Sequence, residues 1–167
     1  LPAQFSPVGG FYVATQAIEL TSENESATIR FTRDGSKPNV TSEVYNAPIF
    51  IDSTTVIRAQ VFEDSILPSI EKNNTYFINE SFTLPIISIT IDPDYLWDDE
   101  IGIYVGGTNG AIYHGDWGSR PSLGVKNYFQ DWERPAFIEF YETNGNLEFN
   151  NQVGIKIHGG TSQCFSQ

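Results

Sequence analysis

The chain has 167 residues and a formal net charge of −12, with 21 acidic against 9 basic side chains. Residues 1–80 carry −5 (10 acids, 5 bases) and residues 81–167 carry −7 (11 acids, 4 bases), so neither half attracts a polyanion, which excludes nucleic acid and anionic lipid surfaces as charge-driven partners. Apolar residues at 40%, aromatics at 14% and charges at 18% are the balance of an ordered globular protein. No apolar run approaches the roughly 18 residues of a membrane span, so no membrane insertion is expected. Met is absent even from the first position, and the chain is expected to be an excised or processed segment. The single Cys164 has no internal disulfide partner and reads as a small inert residue.

Residues 1–15 read as an irregular lead-in, with Leu1-Pro2 and Ser6-Pro7-Val8-Gly9-Gly10. Gln16 to Thr21 reads as a strand, and Ser22 to Ser26 as a polar turn. Thr28, Arg30 and Thr32 then alternate with Ile29 and Phe31, the period of two of a strand with one wet face and one packed face. Asp34-Gly35 ends that strand: Asp bonds its own backbone, Gly accepts positive φ, and Pro38 removes a ladder donor. Tyr45, Pro48, Ile49 and Ile51 lead into a second alternating run, Thr54 to Phe62. Residues 64–74 read as a loop holding Pro68, and Thr75 to Ile78 as a closing strand. Short strands at close spacing with no helix predict a small sandwich. Asn24, Asn39, Asn73 and Asn79 open Asn-x-Ser/Thr sequons, of a kind that arises by chance in Asn- and Thr-rich β-proteins.

The string from Phe31 to Phe62, with its Phe-Thr-x-Asp-Gly-Ser-x-Pro, Ser-x-x-Tyr-x-x-Pro-Ile and Thr-Thr-x-Ile-Arg-Ala elements and Gly9-Gly10-Phe11-Tyr12 upstream, resembles the chitobiase/β-hexosaminidase C-terminal type of immunoglobulin-like module. The likeness covers about residues 5–80. It implies a non-catalytic accessory domain attached to enzymes or surface proteins, not hexosaminidase activity.

Asn79-Glu80-Ser81 reads as a linker, which divides the chain into residues 1–80 and 81–167. Ile86 to Ile91 is a strand pattern with Ile87, Ile89 and Ile91 on alternate positions. Asp92, Pro93 and Asp94 suit the N-cap, first position and first turn of a short helix. The acidic set Asp92, Asp94, Asp98 and Asp99 offers the alternative of a Ca²⁺ site, since that cation takes several converging oxygens. Ile101 to Val105 is expected to be a short strand, and residues 106–124 an irregular Gly-rich stretch. Tyr113 and Trp117 within it, with Trp132, are candidates for stacking on a sugar face. Ala136 to Glu142 is expected to pair with a return arm through Leu147, Phe149, Val153, Ile155 and Ile157 around Asn144-Gly145, the strongest short-range hairpin signal present. Glu139 and Glu142 lie three apart on a strand, on opposite faces, and do not form a glycosidase pair. His114 and His158 have no Cys or His at zinc-ligand spacing.

Residues 84–162, through Leu84-Pro85, Gly102-Ile103-Tyr104-Val105, Trp132-Glu133-Arg134-Pro135 and His158-Gly159-Gly160-Thr161-Ser162, resemble the N-terminal part of the CotH-type family of spore-coat and secreted bacterial surface proteins with atypical kinase-like domains. The resemblance implies that a nucleotide-binding lysine and metal-binding acids lie downstream of the His158-Gly159-Gly160 turn, so ATP and Mg²⁺ are expected only with such a downstream core, and no cofactor in residues 1–167. A Gly-rich turn presents backbone amides to phosphate, which makes His158, Gly159, Gly160 and Ser162 candidate contacts, although Gln163 stands where the family commonly has a basic residue. The predicted fold class is all-β, an immunoglobulin-like sandwich followed by a second β-rich, incomplete domain. The expected role is a non-catalytic accessory segment of a secreted or cell-surface bacterial protein, meeting protein or glycan. The alternatives are the N-terminal fragment of an atypical kinase and a carbohydrate-binding module.

Overall fold

The computed structural model describes residues 1–63, 67–108 and 126–158. Its strands are β1 (Gln4–Ser6), β2 (Gly10–Tyr12), β3 (Gln16–Thr21), β4 (Thr28–Thr32), β5 (Glu43–Val44), β6 (Ile49–Ile51), β7 (Thr55–Phe62), β8 (Lys72–Ile78), β9 (Ile86–Ile91), β10 (Arg134–Tyr141) and β11 (Leu147–Ile155). A five-residue helix α1 (Pro93–Trp97) and a single 3-10 turn (Asn127–Phe129) complete the regular structure. By compactness the chain divides into two units, Leu1–Thr90 with Phe137–Asn151, and Ile91–Ala136 with Gln152–Gln167.

The first unit is built on a five-stranded sheet in the order β2-β8-β7-β4-β5, facing a three-stranded sheet β1-β3-β6. Strands β4, β7 and β8 are antiparallel, with Phe31 opposite Ala59 and Ile57 opposite Asn74, whereas β2 runs parallel to β8. The alternation read from the sequence places Ile57, Ala59 and Val61 of β7, Ile29 and Phe31 of β4, and Tyr76 and Ile78 of β8 on one face. There they meet Ile18, Leu20, Ile49 and Ile51 of the smaller sheet in a single buried cluster. Fully burying each such aliphatic side chain contributes about 1.5–3 kcal/mol. This is the expected immunoglobulin-like β-sandwich.

The opposite face of the large sheet is buried as well. Arg58, Gln60, Asn73 and Thr75 point to that side and are all under a tenth exposed. Phe77 stacks on Phe11 at 4.7 Å and meets Tyr141 edge-on at 5.3 Å. Phe137, Glu139 and Tyr141, alternate residues of β10, supply the covering layer. Their strand belongs to a sheet ordered β11-β10-β9. The hairpin turn forms where Asn144-Gly145 predicts it: Gly145 N–H donates to the Glu142 carbonyl and Glu142 N–H to the Asn146 carbonyl, each at 2.9 Å.

Three local expectations change. The lead-in contains β1 and β2, because sheet edges on β3 and β8 take up its backbone groups. Residues 101–105 are not a strand: the amides of Gly102, Ile103 and Tyr104 donate instead to the carbonyls of Asp98, Tyr95 and Leu96 at 2.8–2.9 Å, satisfying groups that a short helix leaves unpaired at its C-terminal end. Strand β8 starts at Lys72 rather than Thr75, which shortens the loop before it.

Candidate functional site

The Asp-Gly-Ser turn after β4 is held from two sides. Asp34 Oδ1 accepts from Ser36 Oγ at 2.6 Å and Ser36 N at 3.0 Å; the Ser36 hydroxyl first, and its amide next, keep the Asp34 carboxyl below its ordinary range. Thr32 Oγ1 donates to the Ser36 carbonyl at 2.6 Å, and Pro38 is fully buried. From β7, Arg58 donates through Nη1 to the Gly35 carbonyl and through Nη2 to Glu71 Oε2 at 2.6 Å, with the guanidinium carbon 5.4 Å from the centre of the Phe137 ring. The side chains of Arg58 and Glu71 are 5% and 8% exposed. The Asp-Gly-Ser-x-Pro and Ile-Arg-Ala elements, some twenty residues apart in sequence, are thus the two halves of one clamp.

Residues 7–71 match the family model of the chitobiase/beta-hexosaminidase C-terminal domain. Searches of curated proteins and of solved structures returned no match to the chain. Within the matched residues the motif side chains bond to one another and to the sheet, so the pattern specifies a scaffold.

Against the covered face of the module's large sheet lies Glu139, whose side chain is wholly buried. Its Oε2 accepts from Asn73 Nδ2 at 2.9 Å and from the Thr75 hydroxyl, and its Oε1 from Thr75 N at 3.2 Å, Tyr141 OH at 3.0 Å and Asn150 Nδ2 at 3.2 Å. Burial outweighs these donors and pushes the carboxyl above its ordinary range. Burial likewise pushes the Tyr76 and Tyr141 phenols far up, so neither ionises near neutrality. With five donors closing around it, Glu139 has no lone pair directed to solvent for general acid–base work. It ties β10 and β11 to β8. A sequence signal existed: an acid between Phe137 and Tyr141, on the same strand face.

Tyr113, Trp117, Gly159, Gly160 and Ser162 lie outside the described residues. Trp132 is half-buried with the Arg134 guanidinium 4.6 Å from its ring centre, so one ring face is taken; Arg134 also donates twice to the Ile101 carbonyl. His158 is exposed at the end of the described chain. Among the acids, Asp92 Oδ1 caps α1 by accepting from Asp94 N at 3.1 Å, and Asp98 Oδ1 accepts from the amides of Glu100 and Ile101 at 2.8 and 3.0 Å. Asp94, Asp98 and Asp99 are exposed. Among the described residues no three His, Cys, Asp or Glu side chains converge as a metal-binding group. An open depression of about 480 Å³, lined in part by Thr21, Ser22, Asn24, Glu25, Tyr45 and Asn46, sets no nucleophile against a base.

Proposed function

We infer that this chain is a non-catalytic accessory segment of a secreted bacterial surface protein, serving to position its neighbours and to meet a protein or glycan partner. One observation carries the reading. The side chains of the matched motif, and the buried carboxylates Glu71 and Glu139 beside them, are engaged in holding strands together. Catalysis needs groups that face a substrate and change partners in the transition state. The resemblance of residues 84–162 to the CotH-type family supports a parent protein with a kinase-like core beyond the His158-Gly159-Gly160 turn.

Calorimetric titration of residues 1–167 with Mg-ATP, alongside hydrolysis of a chromogenic N-acetylglucosaminide, tests this. Neither nucleotide binding nor turnover is expected. Saturable nucleotide binding to this chain would replace the accessory reading with a phosphotransferase one, since phosphoryl transfer requires a nucleotide site with a cation and metal-holding carboxylates.

A further inference from the structure

Helix α1 ends on an outward-facing aromatic ring. Trp97, its last residue, is 57% exposed; Tyr104, whose N–H donates to the carbonyl of the neighbouring Leu96 at 2.9 Å, is 51% exposed. The two rings meet edge to face, their centroids 5.1 Å apart and their planes at 77°, so they form two walls of an open corner. Beside them stand four exposed carboxylates, Asp94, Asp98, Asp99 and Glu100, none of which is in an ion pair among the described residues. Asp94 precedes Trp97 by three residues, on the same side of the helix. No Lys or Arg occurs from residue 73 to residue 119. The bases of the same unit are engaged elsewhere: Lys156 holds Asp131, Lys126 lies over Tyr128 and Arg134 over Trp132.

We propose that Trp97 and Tyr104 form a docking surface for an arginine side chain of a partner protein. Charge complementarity and ring geometry select that occupant together. A cation over the face of a Trp or Tyr ring is attracted by the ring quadrupole, and the four uncompensated carboxylates add to the same field. An anionic segment would be repelled there, and an apolar one would leave the carboxylates beside it poorly solvated. Between the two protein cations, the guanidinium is planar and weakly hydrated, so it lies flat on one wall while its N–H edge turns to the other wall or to a carboxylate. The ammonium of lysine is compact and strongly hydrated, and gives up more water on the same surface. The unit already makes this contact once with its own residues. The Arg134 guanidinium carbon lies 4.6 Å from the centre of the Trp132 ring and 5.8 Å from that of Tyr95, while its N–H groups donate to the Ile101 carbonyl. The proposal gives a chemistry to the partner contact inferred above, and it rests on that reading for the partner being a protein.

Titration of the isotope-labelled whole chain with the peptide acetyl-Gly-Arg-Gly-amide, followed by NMR at the backbone amides of residues 94–104, tests it. Saturable shifts are expected at those amides with the arginine peptide, none with its neutral citrulline counterpart, and weaker binding with the lysine peptide. Trp97→Leu, an exposed change that keeps the circular dichroism melt, should weaken arginine binding about two- to fivefold, the range of one exposed cation–π contact. Asp99→Asn combined with Glu100→Gln, which leaves both rings in place, should weaken it as well. No shift with the arginine peptide, an equal response to the citrulline peptide, lysine bound as tightly as arginine, or binding undiminished by Trp97→Leu would each overturn the proposal. Nucleotide binding is a separate readout: saturable Mg-ATP binding would overturn the accessory role without touching the peptide result, and failure of the peptide to bind would leave the nucleotide result as it stands.

Discussion

Glu139 shows what one side chain does when a β-face closes over it. Two amide side chains, a backbone N–H, a hydroxyl and a phenol surround the carboxyl, and burial still holds its pKa above the ordinary value. The folded protein therefore binds this proton more readily than the unfolded chain does. Stability from Glu139 is complete below the ordinary carboxylate range and declines as pH rises through the raised folded value. In Glu139→Gln that decline should vanish. The amide would also turn an N–H₂ donor toward Asn73, Thr75 or Asn150, which already donate, at a cost of about 1–3 kcal/mol. Urea denaturation of both proteins at a series of pH values checks this: the gap in favour of the wild type should be widest in acid and narrow as pH rises. A gap constant across pH would mean that Glu139 does not change protonation between the folded and unfolded chains.

At the scale of elements, Arg58 joins the turn after β4, strand β7 and the residue preceding β8. Removing one partner of a buried ion pair costs about 3–5 kcal/mol, whereas replacing the pair by apolar residues of similar size is often close to neutral. Arg58→Ala should therefore lower the urea-derived stability by about that amount, and Arg58→Met with Glu71→Leu should restore most of it. If the double variant is as unstable as Arg58→Ala, the Gly35 carbonyl contact rather than the ion pair is what matters. Much of this architecture was legible. The alternation in β4 and β7, the Asp34-Gly35 break and the Asn144-Gly145 hairpin follow from residue-level preferences that act over a few positions. Strands β1 and β2 were not, because three-residue strands owe their existence to the edges they join. Strand β9 was legible as a strand but not in its orientation: Ile87 and Ile89 suggest a core face, and only the Ser88–Thr75 contact shows that the hydroxyls point inward. The candidate site was the least legible part, since Glu139 is charged by sequence and buried only because Asn73, Thr75 and Asn150, remote in the chain, supply its donors. The same burial, with Asn73 wholly inaccessible, removes its sequon as a glycosylation site.

At the scale of the whole molecule, the overall charge and the aromatic pair at Trp97 and Tyr104 make separable contributions to binding a cation. A chain at −12 attracts any cation over the Debye length, which shrinks from about 30 Å at 0.01 M salt to about 8 Å at 0.15 M. Contact between a guanidinium and an aromatic face acts at a few ångströms, where mobile ions screen little. Raising the ionic strength should therefore weaken the arginine and lysine peptides by similar factors. The preference for arginine, and the loss caused by Trp97→Leu, should stay about constant. NMR titrations in a NaCl series measure both. Acidification should weaken binding in the same direction as salt, because protonating surface carboxylates reduces the negative charge of the chain. A preference for arginine that vanishes as salt rises would mean that the peptide is gathered by charge alone. Residues 1–80 and 81–167 share that charge as −5 and −7, so the field by itself marks no single place, and such a result would move the contact away from α1 to carboxylates spread over both halves.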